Sequence, residues 1–151
     1  MHKYFFSIIL ALILILISNQ TVSLEKKKFL STKYNEVNVR KGPGKNHYVT
    51  SVFIKKCLPL KIISTFDSWV KVSDIEGDVG WISKSQLSEK KCGIIIKETS
   101  LHSFPNIKSK KSAILKKNLL IDIKKCEQKW CKIKYKKFSG WIEKGFFWGP
   151  N

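Results

Sequence analysis

The sequence predicts an all-β protein made of two small barrels in tandem, preceded by an N-terminal signal peptide. Three observations predict this class: an apolar run near the start, a pattern that occurs twice, and short alternating segments separated by turn residues. The chain has 151 residues and a formal net charge of +18, from 29 basic and 11 acidic side chains. Because 43% of its residues are hydrophobic, it can bury a core, which excludes a disordered polybasic tail.

The first element is an apolar run from Phe5 to Ile17, which follows the basic residue Lys3. Small and polar residues come next, up to Ser23. This order is typical of a secretory signal peptide, and the run is shorter than the roughly 20 residues that a membrane span needs. We therefore expect cleavage after residue 23, export to a periplasm or to the medium, and no membrane span in the mature chain.

The remaining chain carries one pattern twice, at offsets of 60 to 62 residues. The clearest pairs are Trp69-Val70-Lys71-Val72 with Trp130-Cys131-Lys132-Ile133, and Gly80-Trp81-Ile82 with Gly140-Trp141-Ile142. Matches in the same order at nearly constant spacing indicate two copies of one unit. We place the copies at residues 33–91 and 94–149.

Each copy is predicted to consist of short strands. Apolar and polar residues alternate in Val37–Arg40 and in Trp69–Val72, while residues typical of turns lie at 42–44 and 76–78. No segment after the apolar run shows a helical stripe of apolar residues. About five short strands in fewer than 60 residues favour a small closed or nearly closed barrel.

The segment Val37-Asn38-Val39-Arg40-Lys41-Gly42-Pro43-Gly44 resembles the opening of bacterial SH3-like domains. The segments that begin at Trp69 and Gly80 resemble two later strands of the same family. The resemblance is weaker in the second copy, where His102 stands at the position of the family's arginine and Phe104 at its first turn glycine. It implies two SH3-like barrels that bind cell-wall or envelope material, such as peptidoglycan peptides.

Four cysteines remain in the mature chain, and an even number in a small exported protein indicates disulfides. A predicted hairpin places Cys126 opposite Cys131, close to the distance of a disulfide, and this leaves Cys57 to pair with Cys92. Four reduced thiols and a zinc site are the alternatives. Zinc is disfavoured because the spacing lacks paired C-x-x-C motifs, and we expect no metal and no cofactor.

The candidate ligand-binding residues are aromatic and basic side chains near the predicted loops and strand starts. They are Arg40, His47, Tyr48, Trp69 and Trp81 in the first copy, and Trp130 and Trp141 in the second. An aromatic face and a cation together suit a ligand with apolar groups and carboxylates. For the tryptophans the simpler interpretation is packing in the core or at a barrel rim.

The inventory of reactive side chains predicts no enzyme. The two histidines of the mature chain, His47 and His102, fall at unrelated loop positions, and no phosphate-binding glycine loop is present. Nucleic acid is an unsuitable partner for an exported chain whose single arginine is Arg40.

Three binding hypotheses remain. The first is a non-enzymatic protein that binds a cell-wall peptide or glycan, and the second is an adaptor that binds an envelope protein. The third is attraction to acidic polymers by charge alone, and the lysines are equally consistent with a solvated coat.

Overall fold

The computed structural model describes residues 29–151, and the signal peptide expected at residues 1–23 lies outside this range. The described chain is all-β and folds into two sheets of seven strands each. Among residues 29–151 no helix is long and apolar enough to span a membrane.

The first unit contains seven strands and one turn of 3-10 helix. They are β1 (Phe29–Thr32), β2 (Val37–Arg40), β3 (Val49–Phe53), β4 (Pro59–Phe66), β5 (Trp69–Ser73), β6 (Val79–Ser83), the 3-10 turn Lys84–Gln86 and β7 (Leu87–Ser88). Neighbouring strands are antiparallel, in the order β3-β2-β6-β5-β4-β1-β7.

The second unit repeats this arrangement element by element. Its members are β8 (Cys92–Ile95), β9 (Thr99–His102), β10 (Lys111–Leu115), β11 (Leu120–Glu127), β12 (Trp130–Tyr135), β13 (Phe138–Glu143), the 3-10 turn Lys144–Phe146 and β14 (Phe147–Trp148). The strand order is β10-β9-β13-β12-β11-β8-β14, which is that of the first unit with every number raised by seven. The predicted tandem pair of small β units is therefore what the structure shows.

Each unit has its own apolar core, because alternate residues of each strand point inward. Val37 and Val39 of β2 are buried while Asn38 between them is exposed. The core of the first unit comprises Val37, Val39, Leu60, Val70, Val72, Ile82 and Leu87. That of the second comprises Ile95, Leu101, Leu115, Ile121, Ile123, Cys131, Ile133, Ile142 and Phe147. Each fully buried aliphatic side chain contributes about 1.5–3 kcal/mol to the stability of its unit.

The two backbones match even at unusual conformations. Cys57 and Asn118 lie 61 positions apart and have φ angles of 69° and 68°, in the left-handed region. The N–H of Cys57 donates to the carbonyl of Thr32 (2.9 Å), and that of Asn118 donates to the carbonyl of Ile95 (2.8 Å). Asparagine tolerates this conformation better than most residues. A cysteine at the equivalent point of the first unit is explained by its disulfide.

Two disulfides are present, with the pairs that the sequence analysis favoured. Cys126 and Cys131 are direct partners of β11 and β12, with their Cα atoms 4.0 Å apart. Cys57 and Cys92 join the first unit to the first strand of the second, with their Cα atoms 5.6 Å apart. The first bridge closes a hairpin, and the second fixes one unit against the other.

Strands β1 and β8 each begin their unit before the first recognisable motif. The first sheet includes Phe29, which pairs with Lys61 of β4. The second sheet includes Cys92, which pairs with Asp122 of β11. The predicted units began at residues 33 and 94, because the sequence motifs that defined the repeat start with the next strand.

Candidate functional site

The four tryptophans of the repeat lie on the outer faces of the sheets. Trp69 and Trp81 alternate with the buried residues Val70 and Ile82, and no tryptophan belongs to either core cluster. Trp69, Trp81 and Trp130 are half-buried. Core packing, one part of the simpler interpretation of these residues, therefore does not describe Trp69, Trp81 and Trp130.

Trp141 is more buried than the other three tryptophans of the repeat. It is only 8% exposed, and the ammonium group of Lys125 lies 5.3 Å from the centre of its ring. An ammonium at this distance is attracted to the negative face of an indole ring. The ring of Trp141 is therefore covered by other side chains and does not offer an exposed face to a ligand.

The side chain of Arg40 stabilises the first loop of its unit, residues 41–48. Its Nη1 atom donates hydrogen bonds to the carbonyl oxygens of Lys45 (3.1 Å) and His47 (2.6 Å). The ring of His47 covers Gly42 so closely that a Cβ atom on this glycine would lie 2.7 Å from the ring. Tyr48, which follows, is 65% exposed.

The structure thus brings Arg40, Trp69 and Trp81 to one outer face, but the side chain of Arg40 is occupied by the first loop. Arg40 is the direct strand partner of Trp81, and Trp69 is a diagonal neighbour of Trp81 through its own partner Ser83. Because the guanidinium of Arg40 already binds backbone carbonyls, its principal visible role is to hold residues 41–48. His47 packs on the same loop.

His102 occupies the equivalent place in the second unit and is the direct strand partner of Trp141. It is 6% exposed, and its ring meets that of Trp130 edge to face, with centroids 5.4 Å apart. Its Nδ1 atom is buried and has no hydrogen-bond partner among residues 29–151. An imidazole is much shorter than an arginine side chain and leaves space beneath the loop.

The first loop of the second unit is held by its own side chains instead. The hydroxyl of Ser109 donates to the carbonyl of Phe104 (3.0 Å), and the carboxamide oxygen of Asn106 accepts from the N–H of Lys108 (2.9 Å). These bonds form within the loop. The loop therefore keeps its shape without a long side chain from β9.

A cavity of about 270 Å³ lies between this loop and the outer face of β9, β10, β12 and β13. Its apolar wall is formed by Ile107, Ile114, Trp130 and Phe146, and its polar lining by Glu98, Thr99, Ser100, His102, Lys111 and Glu143. We call this cavity the second-unit pocket. Its size and mixed lining suit a small group with an apolar body and charged ends.

Six lining residues have a different chemical character at the equivalent positions of the first unit, and two of them are Thr99 and Phe146, which replace Val37 and Gln86. The other four residues, His102, Ile107, Lys111 and Glu143, replace Arg40, Lys45, Val49 and Ser83. These changes remove the side chain that would fill the space, add an apolar contact and introduce one charge of each sign. The pocket is therefore a specific property of the second unit's sequence.

The charges around the pocket differ in how far they are neutralised. The carboxylate of Glu98 forms an ion pair with Lys116 (2.6 Å). Glu143 and Lys111 form no ion pair within the described part of the chain. Both groups remain available to a charged ligand.

Sequence reasoning identified Trp130 but missed the rest of the pocket. Two signals point to it in retrospect: His102 in place of an arginine, and Ile107 inside an otherwise polar loop. Ile107 and Ile114 are 67% and 61% exposed, and large apolar side chains with such exposure mark contact surfaces when they cluster.

One group of potential metal ligands lies where the units meet. The Oδ1 atom of Asp122 is 3.4 Å from Sγ of Cys57, which is bonded to Cys92. A disulfide sulfur is neither a thiolate ligand nor a hydrogen-bond donor. This group is therefore a disulfide between the two units with the carboxylate of Asp122 beside it.

The family model for the bacterial SH3 domain matches residues 33–89 and, again, residues 97–149. A search of curated proteins found no match.

Solved structures that match the chain include NlpC2 and NlpC1 from Trichomonas vaginalis and an NlpC/P60 family protein from Bacillus cereus ATCC 10987. The identities are 18%, 17% and 11%, and the TM-scores are 0.38, 0.38 and 0.37. The matches cover 83%, 84% and 81% of this chain, but 49%, 47% and 56% of those chains. The chain thus spans about half the length of these structures.

Proposed function

We propose that this chain, which belongs to the bacterial SH3 domain family, is an exported, non-enzymatic protein that binds a short peptide of the cell wall in the second-unit pocket. Membership of the family is consistent with a binding role. The choice of peptide and of pocket is the proposal.

The observation that carries the proposal is the combination of lining groups in the second-unit pocket. Ile107, Ile114 and Trp130 offer apolar contact to a small side chain. Glu143 suits an ammonium group and Lys111 a carboxylate, since charge-assisted hydrogen bonds are the strong ones. Short peptidoglycan peptides carry small apolar side chains, a free amine and carboxylates, and so match each element.

Export is supported by the two disulfides. Such bonds persist in oxidising compartments and are rare in the cytosol. The peptidoglycan of a bacterium lies on the outer side of the cytoplasmic membrane, so an exported protein meets it directly. The compartment and the ligand of the proposal therefore agree.

The test is sedimentation of residues 24–151 with isolated peptidoglycan sacculi, at physiological salt, comparing two matched variants. Ile114→Lys places a charge in the apolar wall of the pocket. Val52→Lys makes the same change at the equivalent, 45% exposed position of the first unit. We expect Ile114→Lys to abolish sedimentation and Val52→Lys to leave it unchanged. An absence of sedimentation of the unaltered protein, or equal effects of both variants, would refute the proposal.

A hydrolase assay on the same sacculi tests the non-enzymatic part. We expect no release of soluble peptides or sugars over the time of the binding experiment. Release by the unaltered protein, lost on substitution of a pocket residue such as Glu143→Gln, would show an enzyme instead.

One observation favours the adaptor as a second candidate. Strand β3 is the terminal strand of the first sheet. Apolar side chains are exposed along it and just after it: Val49 is 40% exposed, Val52 45% and Ile54 73%. An apolar terminal strand can accept an extended segment of another protein. Cross-linking from β3 in the envelope would recover one dominant protein if the adaptor hypothesis is correct.

A further inference from the structure

A second, larger cavity lies between the two units, away from the second-unit pocket. It has a volume of about 1060 Å³ and is bounded by β1 and β4 of the first unit and by β8, β11 and β14 of the second. Residues 89–91, which connect the units, form one side. We call it the interunit cleft.

Lysines from both units surround this cleft. Lys61, Lys90, Lys91, Lys125 and Lys144 line it, and Glu89 is the acidic residue among the lining side chains. Lys90 pairs with Asp122 (2.7 Å) and Lys125 with Glu127 (2.6 Å). The other three lysines and Glu89 have no ion pair among residues 29–151, so unpaired lysines exceed unpaired side-chain carboxylates in the lining by three to one.

An aromatic pair crosses the junction at the same place. The ring of Phe29 in the first unit meets that of Trp148 in the second edge to face, with centroids 5.0 Å apart. Both residues line the cleft, and both are half-buried. The cleft therefore combines apolar ring surface with ammonium groups on either side.

The relative position of these groups is fixed by covalent and polar contacts. The Cys57–Cys92 disulfide joins the units, and Cys92 itself lines the cleft. The hydroxyl of Ser31 in β1 donates to the carbonyl of Lys90 (2.9 Å), which ties the connecting segment to the first unit. Lysines that come from separate units are thus held around one cavity.

From this arrangement we infer that the interunit cleft is a binding site for an acidic glycan, a sugar chain that carries carboxylate or sulphate groups. The apolar face of a sugar ring packs on the Phe29–Trp148 pair. Lys61, Lys91 and Lys144 bind the acidic groups, and an ammonium accepts many anion geometries because it is a compact charge with three rotatable donors. The size of the cleft accommodates a chain rather than a single ion.

Single-stranded nucleic acid is the competing polyanion, because bases also stack on aromatic rings. The cleft favours the glycan since its cations are all lysine and no guanidinium lines it. This inference is independent of the second-unit pocket, whose lining residues are different.

The test is isothermal titration of residues 24–151 with four probes: polygalacturonate, a sulphated glycan, neutral dextran and oligo(dT). Lys61→Gln/Lys91→Gln/Lys144→Gln removes the free charges of the cleft. Lys41→Gln/Lys117→Gln/Lys134→Gln removes the same number from exposed positions elsewhere. Circular dichroism and thermal unfolding establish that both triple variants are folded.

We expect both acidic glycans to bind and dextran not to bind. The cleft variant should lose at least about tenfold in affinity, and the control variant less than about twofold. His102→Arg should have no effect, which separates this site from the second-unit pocket. Equal losses in the two triple variants, or tighter binding of oligo(dT) than of either glycan, would overturn the inference.

Discussion

His102 is the direct partner of Trp141 in the second unit, as Arg40 is of Trp81 in the first. The two positions are equivalent in strand, register and face. Arg40 extends to two loop carbonyls, whereas His102 packs on the ring of Trp130 and leaves a pocket. The exchange of arginine for histidine is thus one of the differences that leave a cavity beside the first loop of the second unit.

The substitution His102→Arg is expected to close the second-unit pocket. A guanidinium at this position should reach the carbonyls of Ile107 and Ser109, the counterparts of Lys45 and His47. Affinity for a soluble peptidoglycan peptide, measured by titration calorimetry, should fall at least about tenfold with the fold preserved. Unchanged affinity in a folded variant would show that the peptide binds elsewhere.

The substitution Arg40→Gln is expected to loosen residues 41–48. It removes two hydrogen bonds from a charged donor in an exposed setting, which should cost about 1 kcal/mol locally. Hydrogen exchange at the amide of His47 should become roughly fivefold faster, because local opening sets its rate. Lys41→Gln, an exposed neighbour, serves as the control and should leave this rate unchanged.

Gly140→Ala is expected to destabilise the second unit by about 1–3 kcal/mol through overpacking. The added Cβ would lie 2.6 Å from the carbonyl oxygen of His102 and 2.8 Å from Cγ of Leu101. The backbone of His102 cannot move away from the added Cβ without disrupting the pairing of β9 with β13. Urea unfolding measures the change.

The matched control for that change is Gly145→Ala, five residues further on. A Cβ there would meet nothing within 4 Å, and its φ is not in the left-handed region. Its stability should be unchanged or up to about 1 kcal/mol higher. Similar losses for the two variants would contradict the packing argument.

The two disulfides are expected to contribute unequally to stability. They span 35 and 5 residues, so chain entropy predicts about 4 kcal/mol for Cys57–Cys92 and about 2 kcal/mol for Cys126–Cys131. Suitable variants are Cys57→Asn/Cys92→Ala and Cys126→Ala/Cys131→Ala. Asparagine is chosen at 57 because Asn118 has the same backbone conformation.

Guanidinium unfolding of the two double variants provides the comparison. A larger loss for Cys126–Cys131 would contradict the entropic argument. Such a result would mean that the lost packing of Cys131, which is fully buried in the second core, dominates the change in stability.

The sequence predicted the repeat and the strands because these depend on local patterns. Alternation in Val37–Arg40 and the paired positions of Trp69 and Trp130 specify faces and register without knowledge of tertiary contacts. The hairpin that brings Cys126 to Cys131 is also local. The family match at residues 33–89 and 97–149 confirms the tandem SH3-like pair.

The second-unit pocket and the interunit cleft depend on contacts that no local pattern contains. The pocket arises because His102 is too short to reach a loop that is held by Ser109 and Asn106. The cleft is lined by both Lys61 and Lys144, which belong to different units. Sequence reasoning named single aromatic and basic residues, but the grouping of these residues required the fold.

The most direct test of peptide binding in the second-unit pocket is a two-dimensional NMR titration of the ¹⁵N-labelled protein, residues 24–151, with a soluble peptidoglycan peptide. We predict saturable shifts of the Trp130 indole and of the amides of His102 and Ile114, with the signals of the equivalent Trp69, Arg40 and Val52 unaffected. Shifts confined to the first unit, or none at millimolar peptide, would contradict this prediction.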